Sequence, residues 1–120
     1  RLGVRMTPIL VSHELAHQWF YGIVGTNEYE FPLLDEGLTS YAEWRFLEGR
    51  FPNSGAFALG RFRVSRVAAG RLATFPLPES DRMGERAPDF SSFSALSRYV
   101  YGLTPLLLST LERIYGPERL

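Results

Sequence analysis

Cysteine and lysine are absent from these 120 residues, and histidine occurs only twice. Without cysteine there are no disulfides and no thiolate ligands, so any zinc site must be built from His and carboxylate. The 13 basic residues, all arginine, balance 13 acidic ones. A net charge of zero gives no reason to expect nucleic acid or an acidic lipid surface as partner. The missing lysine reads as genome composition rather than function. No apolar run approaches the roughly 20 residues that cross a bilayer. The opening RLGVRM has no initiator methionine and no signal-peptide layout, so the sequence reads as part of something longer and leaves the compartment open. Its length suits one domain, or a piece of one, with a real core.

Both histidines fall in one run, HELAHQW. Four residues apart on a helix, His13 and His17 sit about 40° apart around the axis and point the same way. Two imidazoles so placed can bind one metal ion. Glu14 lies beside the first and can reach a water on the metal without being a ligand. Zinc brings the pKa of such a water to roughly 7, within reach of a carboxylate base. The plainer alternative is a helix with two core histidines. The helix itself weighs against it. Ile9, Leu10, Val11, Leu15, Ala16, Trp19 and Phe20 lie nearly all round the cylinder, the pattern of a buried helix. Burying His13, Glu14 and His17 among them is costly unless they are paired or metal-bound.

The rest of the sequence predicts a mainly α chain of four helices, with no repeat or long linker. The first starts with Thr7 as N-cap and Pro8 at the first helical position, and runs to about Tyr21. Gly22, Gly25 and Asn27 end it. A second helix spans about Leu33 to Glu48, with Glu36, Ser40 and Glu43 on one face, and stops at Gly49 and Pro52. A third covers about Ser54 to Gly70, and its Arg61, Arg63 and Arg66 read as a solvated surface. Residues 71–92, with Pro76, Pro78, Gly84 and Pro88, read as an irregular loop. The last helix runs from about Thr104 to Tyr115, with Gly116 in the C-cap position and Pro117 blocking continuation. No hairpin signal is present. Phe31–Leu34 and Arg98–Tyr101 are candidates for short extended pieces.

A catalytic zinc needs a third protein ligand, here necessarily Asp or Glu. Glu36, in LLDEGLTSYAEW, is the best candidate, on a helix able to pack against the first. Asp35 is adjacent, but an α-helical step turns its side chain about 100° away. Glu28 and Glu30 read as exposed loop charges.

HELAHQWF, the eighteen residues 18–35 and then Glu36-Gly37 resemble the zinc metallopeptidases of the aminopeptidase N family, gluzincins with an HExxH-x18-E pattern. The likeness extends through Thr39, Tyr41 and Glu43. A metzincin pattern is excluded, since no third histidine follows. The resemblance implies the helical lobe of a thermolysin-like catalytic domain over residues 1–120. One zinc ion would be held by His13, His17 and Glu36, with Glu14 as general base. Glu43 matches a family glutamate that supports a ligand histidine.

The family also has an oxyanion-stabilising tyrosine in a Tyr-x-Lys-Gly context before an apolar helix. In SRYVYGLTPLLLSTLERIYG the match is Tyr101, with Tyr99 as runner-up. Leu103 and Thr104 stand where Lys and Gly are usual. Relatives carry an upstream β-rich lobe with a Gly-x-Met-Glu-Asn run that grips the substrate's amino terminus, and no such run occurs here. The resemblance therefore implies an aminopeptidase acting on peptides, lacking its upstream lobe. The alternatives are a metal-binding domain without catalysis and a thermolysin-like endopeptidase.

Overall fold

A computed structural model of the chain describes residues 6–52, 57–59 and 62–119. It is mainly helical, and none of its helices is long and apolar enough to cross a membrane. Helix α1 spans Met6–Ala16. It is already under way at Met6, so Thr7 is not its N-cap, and it ends well before the expected Tyr21. His17 N still donates to His13 O at 3.2 Å, which preserves the helical relation of the two imidazoles. Beyond them the chain turns sharply. Gly22 N donates to His17 O, Tyr21 takes a positive φ of 90°, and Phe20 bridges to Val24. A Cβ on Gly22 would lie 2.5 Å from Gln18 O, so only glycine fits there.

The apolar pattern of α1 predicts a buried helix, yet Ser12 is its only buried residue. Leu10, Val11 and Leu15 are 54%, 51% and 64% exposed. The reason is one-sided packing: α1 lies against α2 (Leu38–Arg50), and no described element covers its other side.

The second predicted helix exists, but it opens with a π turn over Leu33–Gly37 before continuing as α2. Phe31–Leu34 is therefore not an extended piece. The third predicted helix is displaced. Its proposed start at Ser54 lies outside the described residues, and Phe57–Leu59 (β1) pairs antiparallel with Phe62–Val64 (β2). Helix α3 follows over Arg66–Thr74, set by Ser65, whose hydroxyl accepts from Ala68 N at 3.1 Å.

The long loop is ordered by its own carboxylate. Asp81 accepts from Ser91 N and from Ser91 Oγ, both at 2.6 Å, and from Ser80 Oγ at 2.9 Å. These bonds hold its carboxyl below the usual carboxylate range. From Phe93 the chain is helical without a break: α4 (Phe93–Ser97), a second π turn (Arg98–Leu103) and α5 (Thr104–Tyr115). Arg98–Tyr101 is thus helical, not extended. Pro105 gives a reason for the π turn, because its ring lacks an N–H and would collide with the carbonyl four residues back in a regular α-helix. Gly116 closes α5 with φ 87°, as the sequence predicts.

Packing between these elements positions the site. Phe90, Ala95, Tyr99 and Val100 form a buried cluster under the long loop. The two π turns lie against each other, and α2 packs on both α1 and α5. Glu112 fastens the latter pair. It accepts from the Tyr41 hydroxyl at 3.0 Å and pairs with Arg45 at 2.8 Å. The helix that carries Glu43 is thereby held against the one that follows Tyr101.

Candidate metal centre

His13 and His17 come from the end of α1 and the turn after it, and Glu36 comes from the first π turn. Glu36 Oε2 lies 3.0 Å from His13 Nε2 and 3.3 Å from His17 Nε2. The three donor atoms all fall within 4.8 Å of one another, and the group can hold a metal ion. The imidazole rings stand edge to face, 4.9 Å between centroids. The sequence expectation that these three side chains converge is met in space.

The other nitrogen of each ring faces acid. Glu43 Oε2 is 3.3 Å from His13 Nδ1, and the Glu43 side chain is 9% exposed. Asp35 Oδ1 is 2.9 Å from His17 Nδ1, an ion-pair distance off the line of the ring N–H, and Thr39 Oγ1 lies 3.3 Å from the same nitrogen. A neutral imidazole whose Nδ1–H is held by a carboxylate presents its Nε2 lone pair outward. His13 has that arrangement with Glu43, His17 has Thr39 Oγ1 at its Nδ1 with the Asp35 charge beside it, and both Nε2 atoms lie against Glu36 Oε2. The residues present therefore fit a metal.

Sequence reasoning missed Asp35. On a regular α-helix it points away from Glu36, but a π turn spreads more residues over each turn, so successive side chains diverge less. Asp35 and Glu36 both reach the histidines. The signal available was chemical: a carboxylate one residue from a candidate ligand, expensive to bury unpaired.

Charge follows this geometry. Hydrogen bonding to Glu36 and Glu43 pushes His13 up to about 9, against the opposing effect of burial. Burial pushes the Glu36 carboxyl up, but His13, His17 and Tyr101 outweigh it and hold the group below its ordinary value. Burial raises Asp35, with His17 opposing. The sign for His13 is that of a raised folded-state pKa. Its contribution to metal-free stability is full below about 6.5 and is lost as pH rises through about 9. A metal must displace that proton. Zinc affinity is therefore expected to rise about tenfold per pH unit from about 6.5 toward 9 and then level off. Competition with a chelating dye at several pH values measures this, and a flat profile would contradict it.

Glu14 is exposed and makes no hydrogen bond or ion pair with any described residue. Tyr101 comes from the second π turn. Its ring stacks on His13 at 6.1 Å between centroids, and its hydroxyl faces the Glu36 carboxylate. Burial first, then Glu36, raises that hydroxyl far above the ordinary tyrosine range, so it stays a donor. Tyr99 is occupied elsewhere. It is buried in the core cluster, and its hydroxyl donates toward Pro78 O at 2.8 Å and Asp81 O at 2.7 Å. Of the two candidates, Tyr101 is the one at the metal centre.

The Leu103-Thr104 departure has a structural counterpart. Thr104 is fully buried, donates to Tyr99 O at 3.1 Å, and packs on Gly37. A Cβ on Gly37 would lie 2.7 Å from Thr104 Cγ2. Gly37→Ala is expected to destabilise the chain by about 1–3 kcal/mol through overpacking, and to weaken metal binding by shifting Glu36. Both effects should shrink in a Thr104→Ala background, as read by urea unfolding and metal titration.

A family model described as the peptidase family M1 domain matches residues 4–95. The match takes in His13, Glu14, His17, Asp35, Glu36 and Glu43 and stops short of Tyr101. No curated protein and no solved structure matches the chain. With more than half of its length matched, and with two histidines and a glutamate converging in the matched segment, the chain belongs to peptidase family M1, a family of metallopeptidases.

Proposed function

We propose that this chain is the zinc-binding helical lobe of an aminopeptidase catalytic domain that releases N-terminal residues from peptides. The convergence of His13 Nε2, His17 Nε2 and Glu36 Oε2, with the Tyr101 hydroxyl at the same carboxylate, carries the reading. In this account His13, His17 and Glu36 hold one zinc ion. When bound, that ion supplies Lewis acidity, lowering the pKa of water and polarising a carbonyl. Glu43 fixes the tautomer and orientation of His13, while Thr39 and the Asp35 charge steady the ring of His17.

Glu14 is the general base. It is adjacent to a ligand in sequence, its carboxylate has no partner among the described residues, and it is open to solvent, so it can take a proton from the attacking water. The same carboxyl then returns the proton to the leaving amine. Tyr101 donates its hydroxyl hydrogen to the oxygen that gains charge as the carbonyl becomes tetrahedral. Its protonation is secured by burial and by Glu36. The Thr104–Gly37 contact supports this role, because it braces the turn that carries Tyr101 against the turn that carries Glu36.

The test compares substrates on the zinc-loaded full-length protein. Hydrolysis of an alanyl-anilide, with an N-acetylated analogue left intact, is the expected result. Cleavage of internally blocked peptides would make it an endopeptidase. One zinc per chain with no turnover of either substrate would reduce it to a metal-binding domain.

A further inference from the structure

A second feature adjoins Tyr101. A cavity of about 290 Å³ opens between α2, α3 and the second π turn, lined by Trp44 and Tyr101. Two arginines line it, Arg66 and Arg98. The sequence reads Arg66 as a solvated charge, but the side chain is half-buried. Glu43 and Glu48 are near enough to favour its charged form against burial. Among the described residues, no carboxylate comes within ion-pair distance of either guanidinium. Arg98 gives one N–H to Pro76 O and keeps the rest of its fork. Thr74, fully buried, also lines the cavity, and its hydroxyl has no hydrogen-bond partner among the described residues.

Guanidinium keeps its charge at any working pH, and a half-buried one without a counter-ion favours an anion. Its planar fork matches a carboxylate with two parallel hydrogen bonds. The cavity is also close to the metal centre. Tyr101 takes part in both, with its hydroxyl toward Glu36 and its ring stacked on His13 and lining the cavity. We propose that this cavity is a subsite for a carboxylate of the peptide substrate, anchored by Arg66. The substrate half of this proposal rests on the peptidase reading. The anion half rests on the cavity alone. The carboxylate can come from an acidic side chain or from the peptide's C-terminus.

Trp44 reports on the cavity directly. The sequence has two tryptophans, and Trp19→Phe leaves Trp44 as the only one. In the zinc-loaded chain with that substitution, Trp44 fluorescence is titrated with Ala-Glu-Ala and Ala-Gln-Ala, each as free acid and as C-terminal amide. Peptides that bring a carboxylate to the cavity should bind at least tenfold more tightly than the Ala-Gln-Ala amide. A Glu-over-Gln difference between the amides assigns the acidic side chain, and an acid-over-amide difference assigns the C-terminus. Arg66→Gln should remove the discrimination, and Arg66→Lys should retain most of it. Four affinities within twofold of one another would overturn the subsite. So would an Arg66→Gln effect equal for all four peptides, which would mark a structural role. Hydrolysis of the alanyl-anilide without carboxylate discrimination removes the subsite and leaves the peptidase. Discrimination without hydrolysis does the reverse.

Discussion

Glu14→Gln in the full-length protein is expected to lower peptide hydrolysis by about 10²–10⁴-fold or more while zinc content stays unchanged. The substitution keeps size and exposure and removes only the basic oxygen. Glu14 has no hydrogen bond or ion pair to lose among the described residues, so the fold has no stake in its charge. It is also no member of the group of atoms that converge on the metal position. A loss of rate with unchanged zinc binding and unchanged unfolding midpoint is therefore the signature of a base. Activity within tenfold of the parent protein would remove Glu14 from that role. Loss of zinc along with activity would mean that it acts as a ligand.

The second large effect concerns the two tyrosines. Tyr101→Phe is expected to lower kcat by about 10²–10³-fold with little change in KM, the usual worth of one oxyanion donor, roughly 2.7–4 kcal/mol. Tyr99→Phe should behave in the opposite way. Its hydroxyl spans the carbonyls of Pro78 and Asp81 inside the core, so its removal leaves buried acceptors short of a donor. The expected result is a lower unfolding midpoint, by about 1–3 kcal/mol of stability, with kcat nearly kept. Steady-state kinetics and urea unfolding on both variants separate the roles. An exchange of the two phenotypes would move the oxyanion donor to Tyr99.

The parts legible in the sequence are those that depend on spacing along a regular helix. His13 and His17 four apart and Gly116 closing α5 appear in the structure as the pattern predicts, and Glu36 and Glu43 both reach His13 although Glu36 sits in a π turn. What the pattern could not supply has physical causes. The π turns at Leu33–Gly37 and Arg98–Leu103 arise from hydrogen bonds shifted by one residue, which leave no mark on apolar periodicity. Asp35 was lost to that shift. The β1–β2 hairpin lacks the Asn-Gly type of turn that announces such pairs, so a helical reading ran through it. Ser65 and Ser54 are both plausible caps by type, and only the paired strands between them decide for Ser65. The exposed flank of α1 shows the last kind of gap. Periodicity says which residues are apolar and not what covers them.

Zinc stoichiometry tests the central claim most directly. Equilibrium dialysis of the chain against zinc, read by metal analysis, should give one ion per chain at pH 8, and His13→Ala, His17→Ala and Glu36→Ala should each abolish it. Asp35→Asn and Glu43→Gln should keep the ion but weaken its affinity about 10–100-fold, the usual cost of losing a carboxylate behind a ligand histidine. One zinc retained by the double variant His13→Ala/His17→Ala would contradict the account, because these are the chain's only two imidazoles.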